Sequence, residues 1–174
     1  AVSLAGDVSV NGGGTVFPPK LFVAAPNGDV NIENVVLYPS ATGNATILAG
    51  NDVVISSLIM SEFNPDDLPV ITTANLKSEA NKANTDVNVL SNYTDTSGHT
   101  DGLLHSDDTE PVRVYAENDI IFKVEKPLVT PKRVEIKAGH DVVDPNVIAQ
   151  NIKATDVSVI SAGNAIRYNE PVRI

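Results

Sequence analysis

Carboxylates are the groups through which this chain could act, and they return at regular intervals. An Asp followed by an apolar residue, a spacer and usually a second apolar residue occurs at Asp7, Asp29, Asp52, Asp86, Asp119, Asp141 and Asp156, with spacings of 22, 23, 34, 33, 22 and 15. Further acids gather between the regular copies, at Asp66 and Asp67, at Asp95 and Asp101 around His99, and at Asp107 and Asp108. Three chemistries suit such a set. Carboxylates on neighbouring turns, such as Asp86 and the Asp107-Asp108 pair some 22 residues on, could protonate a glycosidic oxygen and activate water. The run Ser97-x-His99-x-Asp101-Gly102, ending at Asp108, is spaced like a calcium loop, but it opens on Ser and lacks the bidentate Glu that closes one. His99 and His105 among Ser and Asp suggest a nucleophilic triad, yet no Ser sits in a Gly-x-Ser-x-Gly elbow. No cofactor is expected.

The elements that must position these groups are strands. The chain has 24 Val and 13 Ile against 11 Leu, and restricted χ1 rotamers suit a pleated surface better than a helical turn. The residues three, five and seven before the Asp are small or β-branched in three copies: Ala49, Ile47 and Ala45; Ala116, Val114 and Val112; Ala138, Ile136 and Val134. That alternation is strand periodicity with one buried face. The unit is strand, tight corner, strand, with Ala-Gly-Asn-Asp at 49–52, Ala-Glu-Asn-Asp at 116–119, Ala-Gly-His-Asp at 138–141 and a shorter Ala-Thr-Asp at 154–156. Strands recurring about every 22 residues with no helical crossover predict an all-β parallel β-helix, a solenoid of about seven rungs. Val8, Val30, Val53, Val87, Ile120, Val142 and Val157 would form its inward column, and the spacing of 15 sets Asp156 on a different corner of its rung.

Spacings of 34 and 33 exceed one rung by 11 to 12 residues, which predicts two insertions, at about 61–76 and 92–111. Loops leaving a rigid scaffold are where binding residues sit, so Asp66, Asp67, Asp95, His99, Asp101, Asp107 and Asp108 are the candidate contact residues. The seven Asp of the repeat are structural corner residues. Stacked about 5 Å apart they would repel one another, unless solvent screens them, the corners fall out of register, or a cation lies between.

The formal charge of −10 and the lack of clustered Lys and Arg argue against nucleic acid and anionic membranes as partners. Lys132-Arg133 is the densest basic spot and reads as a solvated strand edge. There is no Cys, which a long stacked core does not require. The longest nearly apolar stretch, 53–60, is too short to span a bilayer and is broken by Ser56-Ser57. Asn44 and Asn92 head glycosylation tripeptides, and only Asn92 falls away from a strand. Residues 1–174 read as one β-helical segment of a larger protein.

The run from Glu135 to Asp144, with Ile148-Ala149-Gln150-Asn151 and Asp156 to Asn164, resembles the filamentous haemagglutinin family of two-partner-secretion bacterial exoproteins. The likeness is strongest over 112–168. It implies a right-handed β-helix, export through an outer-membrane partner, display at the bacterial surface, and a structural and adhesive role as adhesin or toxin-carrying stalk. A host or neighbouring-cell receptor or glycan would then be the partner, with no catalysis. The nearest match to the family's Asn-Pro-Asn-Gly export motif is Ala25-Pro26-Asn27-Gly28, which points to the shaft. The alternative is a polysaccharide hydrolase. Asn84-Thr85-Asp86, Asp107-Asp108 and Gly139-His140 resemble elements of the polygalacturonases, although His140 follows Asp108 by 32 residues and no Arg-x-Lys follows it.

Overall fold

A computed structural model describes residues 1–13, 16–60, 103–123 and 127–169. Among them are sixteen strands and no helix, arranged as three parallel sheets that each take one strand per turn. The first sheet stacks β1 (Val8–Asn11), β4 (Val30–Glu33), β7 (Val53–Ile55), β10 (Ile120–Phe122), β13 (Asp141–Val143) and β16 (Ala165–Arg167). The second stacks β2 (Val16–Phe17), β5 (Val35–Leu37), β8 (Leu58–Met60), β11 (Leu128–Thr130) and β14 (Val147–Ala149). The third stacks β3 (Lys20–Ala25), β6 (Asn44–Ala49), β9 (Val112–Ala116), β12 (Val134–Ala138) and β15 (Val159–Ala162). This is a β-solenoid of about five turns.

The core follows from the alternation seen in the sequence. Ile47, Val114 and Ile136 are fully buried and stack in register along the third sheet, as do Val30, Val53, Ile120 and Val142 along the first. Val23, Leu58, Leu128 and Phe122 complete a single core fed by all three sheets. A turn in isolation buries almost nothing, so stability comes from the stack. Small residues make the corners possible: Ala25, Ala49, Ala116, Ala138 and Ala162 stack at the end of the third sheet. Beside them a Cβ on Gly139 would lie 2.0 Å from the Glu117 carbonyl oxygen. Gly139→Ala should therefore cost about 1–3 kcal/mol in urea unfolding, while Gly6→Ala, where a Cβ meets nothing within 4 Å, should be neutral.

The count of turns requires correction. β7 pairs directly with β10 (Val53 with Ile120), β6 with β9 (Ile47 with Val114), and β8 with β11. The Asp52 and Asp119 turns are therefore direct neighbours, with both edges of β7 and of β10 paired, and Asp86 and Val87 lie outside the described residues. The chain leaves the described stack after Met60 and rejoins it at Val112, with 61–102 outside the described residues. Val157 is also misassigned. It is 61% exposed, and Ile166 takes the register position next to Val142.

Candidate functional site

The corner after the third sheet carries a ladder of carboxylates. Asp7 Oδ1 accepts the Asp29 N–H at 2.8 Å, Asp29 Oδ1 the Asp52 N–H at 3.1 Å, Asp52 Oδ1 the Asp119 N–H at 3.0 Å, and Asp119 Oδ1 the Asp141 N–H at 2.9 Å. Asp141 Oδ1 ends the series on the Ala165 N–H at 3.1 Å. A side chain from the next turn adds a second donor. Asn51 Nδ2 reaches Asp29, Asn118 Nδ2 reaches Asp52 and Asn164 Nδ2 reaches Asp141, at 2.6, 2.7 and 2.8 Å. The stacked carboxylates are in register, and each is stabilised by hydrogen bonds from the following turn. The corner role of these five residues is structural. Asp156 does sit on another corner, where its Oδ2 accepts the Ile152 and Lys153 N–H groups at 3.0 and 2.9 Å. Asp86 lies outside the described residues.

One rung of the ladder is titratable. His140 stands where Asn51, Asn118 and Asn164 stand in other turns, with Nδ1 2.8 Å from Asp119 Oδ1 and 3.7 Å from Asp141 Oδ1. The hydrogen bond to Asp119, then the Asp141 charge, raise its pKa, while Arg167 opposes them. A raised folded-state pKa contributes stability that is fully present below the unfolded value of about 6.5 and is lost as pH rises through the folded value. The melting temperature of the protein relative to His140→Asn should therefore be higher at about pH 5.5 than at about pH 8.5. A difference that does not move with pH would contradict the assignment. The ligand atoms of Asp119, His140 and Asp141 lie within 4.8 Å of one another. All three are committed to the ladder, and Asp141 Oδ2 is held by Arg167 Nε at 2.8 Å, so the cluster reads as part of the scaffold.

The second concentration of polar groups is at the opposite end of the third sheet, where the excursion rejoins the stack. His105 and Lys132 are 1% and 3% exposed, and both face Asp108. Lys132 Nζ donates to Asp108 Oδ2 at 2.5 Å and to the Gly43 carbonyl at 3.0 Å, while His105 Nδ1 lies 3.4 Å from the same Oδ2. Asp108 Oδ1 accepts the Glu110 N–H at 2.9 Å. Burial, then the neighbouring Lys132 charge, lower the His105 pKa, so the ring is neutral near pH 7. Burial also lowers the Lys132 pKa against the pull of Asp108. For Asp108 burial pushes upward, but hydrogen bonds from Lys132 and the Glu110 N–H outweigh it and hold the carboxyl below its usual range. Beside this knot, an open cleft of about 560 Å³ runs between the face of β3 and β6 and the foot of the excursion, lined by Lys20, Phe22, Thr46, Leu104, Asp107 and Glu110 among others.

The candidate contact residues therefore divide. Asp66, Asp67, Asp95, His99 and Asp101 lie outside the described residues, as does the insertion at 61–76. Asp107 is exposed and lines the cleft. Asp108 also lines the cleft, is 13% exposed and pairs with the buried Lys132. Lys132 is corrected, from a solvated edge to the interior. The described members of the hydrolase constellation are not brought together. Asp107-Asp108 precede β9 and His140 follows β12, so a five-residue strand separates their levels, roughly 16 Å at the usual rise. The buried pairing of Lys132 and His105 with Asp108 escaped the sequence analysis, although a signal existed. Lys132 follows Asp108 by 24 residues, close to the 22 that place Val134 beside Val112.

Fold and ladder together define the class of protein: a parallel β-solenoid with a stacked Asp ladder along one corner. No protein-family model, curated protein or solved structure matches the chain.

Proposed function

We propose that this chain is a structural and adhesive segment of a secreted, surface-displayed bacterial exoprotein of the filamentous haemagglutinin type, with no catalysis of its own. On this reading it is exported by an outer-membrane partner and presents a contact surface to a receptor or glycan on a host or neighbouring cell. One observation carries the reading: the core and the Asp ladder run without a break from the Asp52 turn to the Asp119 turn, although 61–111 intervene. A scaffold that does not need a segment, yet anchors its foot with a buried ion pair, is built to hold that segment out for contact. Among the described residues no helix is long and apolar enough to cross a membrane.

The test shortens the excursion while keeping its foot. A chain in which a short Gly-Ser linker replaces 61–102 should retain its circular dichroism and melting temperature but lose adhesion to the surface that the parent protein binds. Adhesion equal to the parent would reduce the segment to a spacer. Release of reducing ends from polygalacturonate that depends on Asp107 would favour the hydrolase instead.

A further inference from the structure

We propose that Lys132 and Asp108 join in an intramolecular isopeptide bond, with His105 carrying the proton that the reaction must move. The inference concerns the foot of the excursion and holds whatever the excursion binds. Three observations carry it.

The first is approach. Lys132 Nζ is held 2.5 Å from Asp108 Oδ2 by a side chain with almost no exposed surface. The carboxyl cannot swing away, because Oδ1 accepts the Glu110 N–H at 2.9 Å. A nucleophile fixed against its electrophile in this way gains much of the advantage of an intramolecular reaction.

The second is environment. Burial makes both charges of the pair expensive, which narrows the gap between the ion pair and the neutral amine and carboxylic acid reached when one proton crosses. Burial also lowers the Lys132 pKa, which favours the free amine that can attack. The hydrogen bonds on Asp108 act in the other direction by holding its carboxyl down. His105 supplies what that leaves missing, a buried neutral imidazole whose Nδ1 is 3.4 Å from the oxygen that must depart.

The third is the fit of the product. In the amide, the remaining N–H of Lys132 Nζ keeps the Gly43 carbonyl as acceptor, now at 3.0 Å, and the carbonyl oxygen derived from Oδ1 keeps the Glu110 N–H. Both polar groups of the new bond have their partners before it forms, so no buried group is orphaned.

The step balances without an oxidant or reductant. A proton passes from the Lys132 ammonium to the Asp108 carboxylate, giving amine and acid. The Nζ lone pair adds to Cγ, forming the N–C bond. His105 takes a proton from Nζ and delivers it to the Oδ2 hydroxyl, the Cγ–Oδ2 bond breaks, and one water leaves. The bond would close a loop from 108 to 132 and lock the returning end of the excursion to the turn that carries β12.

The test is the intact mass of the folded 174-residue chain, read after denaturation. The expected value is lower than that of the linear sequence by about 18 Da, the one water expelled when the amide forms. Fragmentation should yield a branched peptide joining the Asp108 and Lys132 segments. Asp108→Ala and Lys132→Arg should restore the full mass. His105→Gln should slow the appearance of the linked form by about tenfold or more, the scale of a lost proton carrier. A full, unmodified mass after long incubation of the folded wild-type protein overturns the proposal, and this reading does not depend on any variant folding. A water loss without the branched peptide, as a succinimide at Asp107 or Asp108 would give, overturns it too. Unchanged kinetics in His105→Gln would remove the histidine from the reaction.

Discussion

Ile120→Asp is expected to leave the protein unfolded at ambient temperature. Ile120 is fully buried and lies between Val53 of the preceding turn and Val142 of the following one. A carboxylate there has no donor within the apolar column, and burying it unpaired costs several kcal/mol, comparable with the total stability of a small domain. Protonation relieves part of this but leaves a polar group in a packed core. Val53→Asp should behave alike. The matched control is Asp107→Ala on the exposed rim of the cleft, which should stay within about 0.5 kcal/mol of the parent. Equal losses in the two kinds of variant, by urea unfolding, would mean that inward and outward faces have been exchanged.

Asp108→Ala carries the second large effect, and it separates two adjacent acids that look alike in sequence. Removing Asp108 strands the Lys132 ammonium in the interior, where it keeps its hydrogen bond to the Gly43 carbonyl but loses its counter-charge. Breaking a buried pair from one side costs about 3–5 kcal/mol, reduced here because the lysine can shed its proton. The double change Asp108→Ala/Lys132→Met should recover the part of that loss that comes from the stranded charge, because no charge is then left buried, but not any part that comes from losing the covalent link. If Asp108→Ala costs no more than Asp107→Ala, the ion pair is not part of what holds the excursion's foot.

The periodicity of single strands was legible because side-chain direction has a period of two and the burial follows it residue by residue. Val112, Val114 and Ala116 point inward while Arg113 and Tyr115 point out, as their alternation requires. The Asp ladder was legible as a column but not as a mechanism. The donor to each carboxylate is the backbone of the next turn, which spacing alone does not disclose. The count of seven rungs failed for an instructive reason. Asp-Val-Asn-Val at 86–89 carries the same local pattern as Asp29-Val30-Asn31-Ile32, and a local pattern cannot reveal whether both strand edges next to it are already occupied. Asp108 and Lys132 were misread because acidic and basic residues in loops are usually solvated. Their burial depends on the foot of the excursion folding down on the corner before β6, which no local pattern encodes.

The Asp52 turn lies directly against the Asp119 turn, although residues 61–111 separate their strands in the sequence. Val54 and Ile121 are paired residues in neighbouring parallel strands and both are partly exposed. The absence of native Cys makes a cysteine pair unambiguous, and adjacent strands bring the two Cα atoms within disulfide range. Val54→Cys/Ile121→Cys should oxidise in air to an intramolecular disulfide that shifts mobility on a non-reducing gel, with folding retained. Val54→Cys/Asn88→Cys, which a turn at Asp86 would place side by side, should remain reduced. The opposite outcome, with a bond to position 88 and none to 121, would put the Asp86 turn back into the stack and contradict the account.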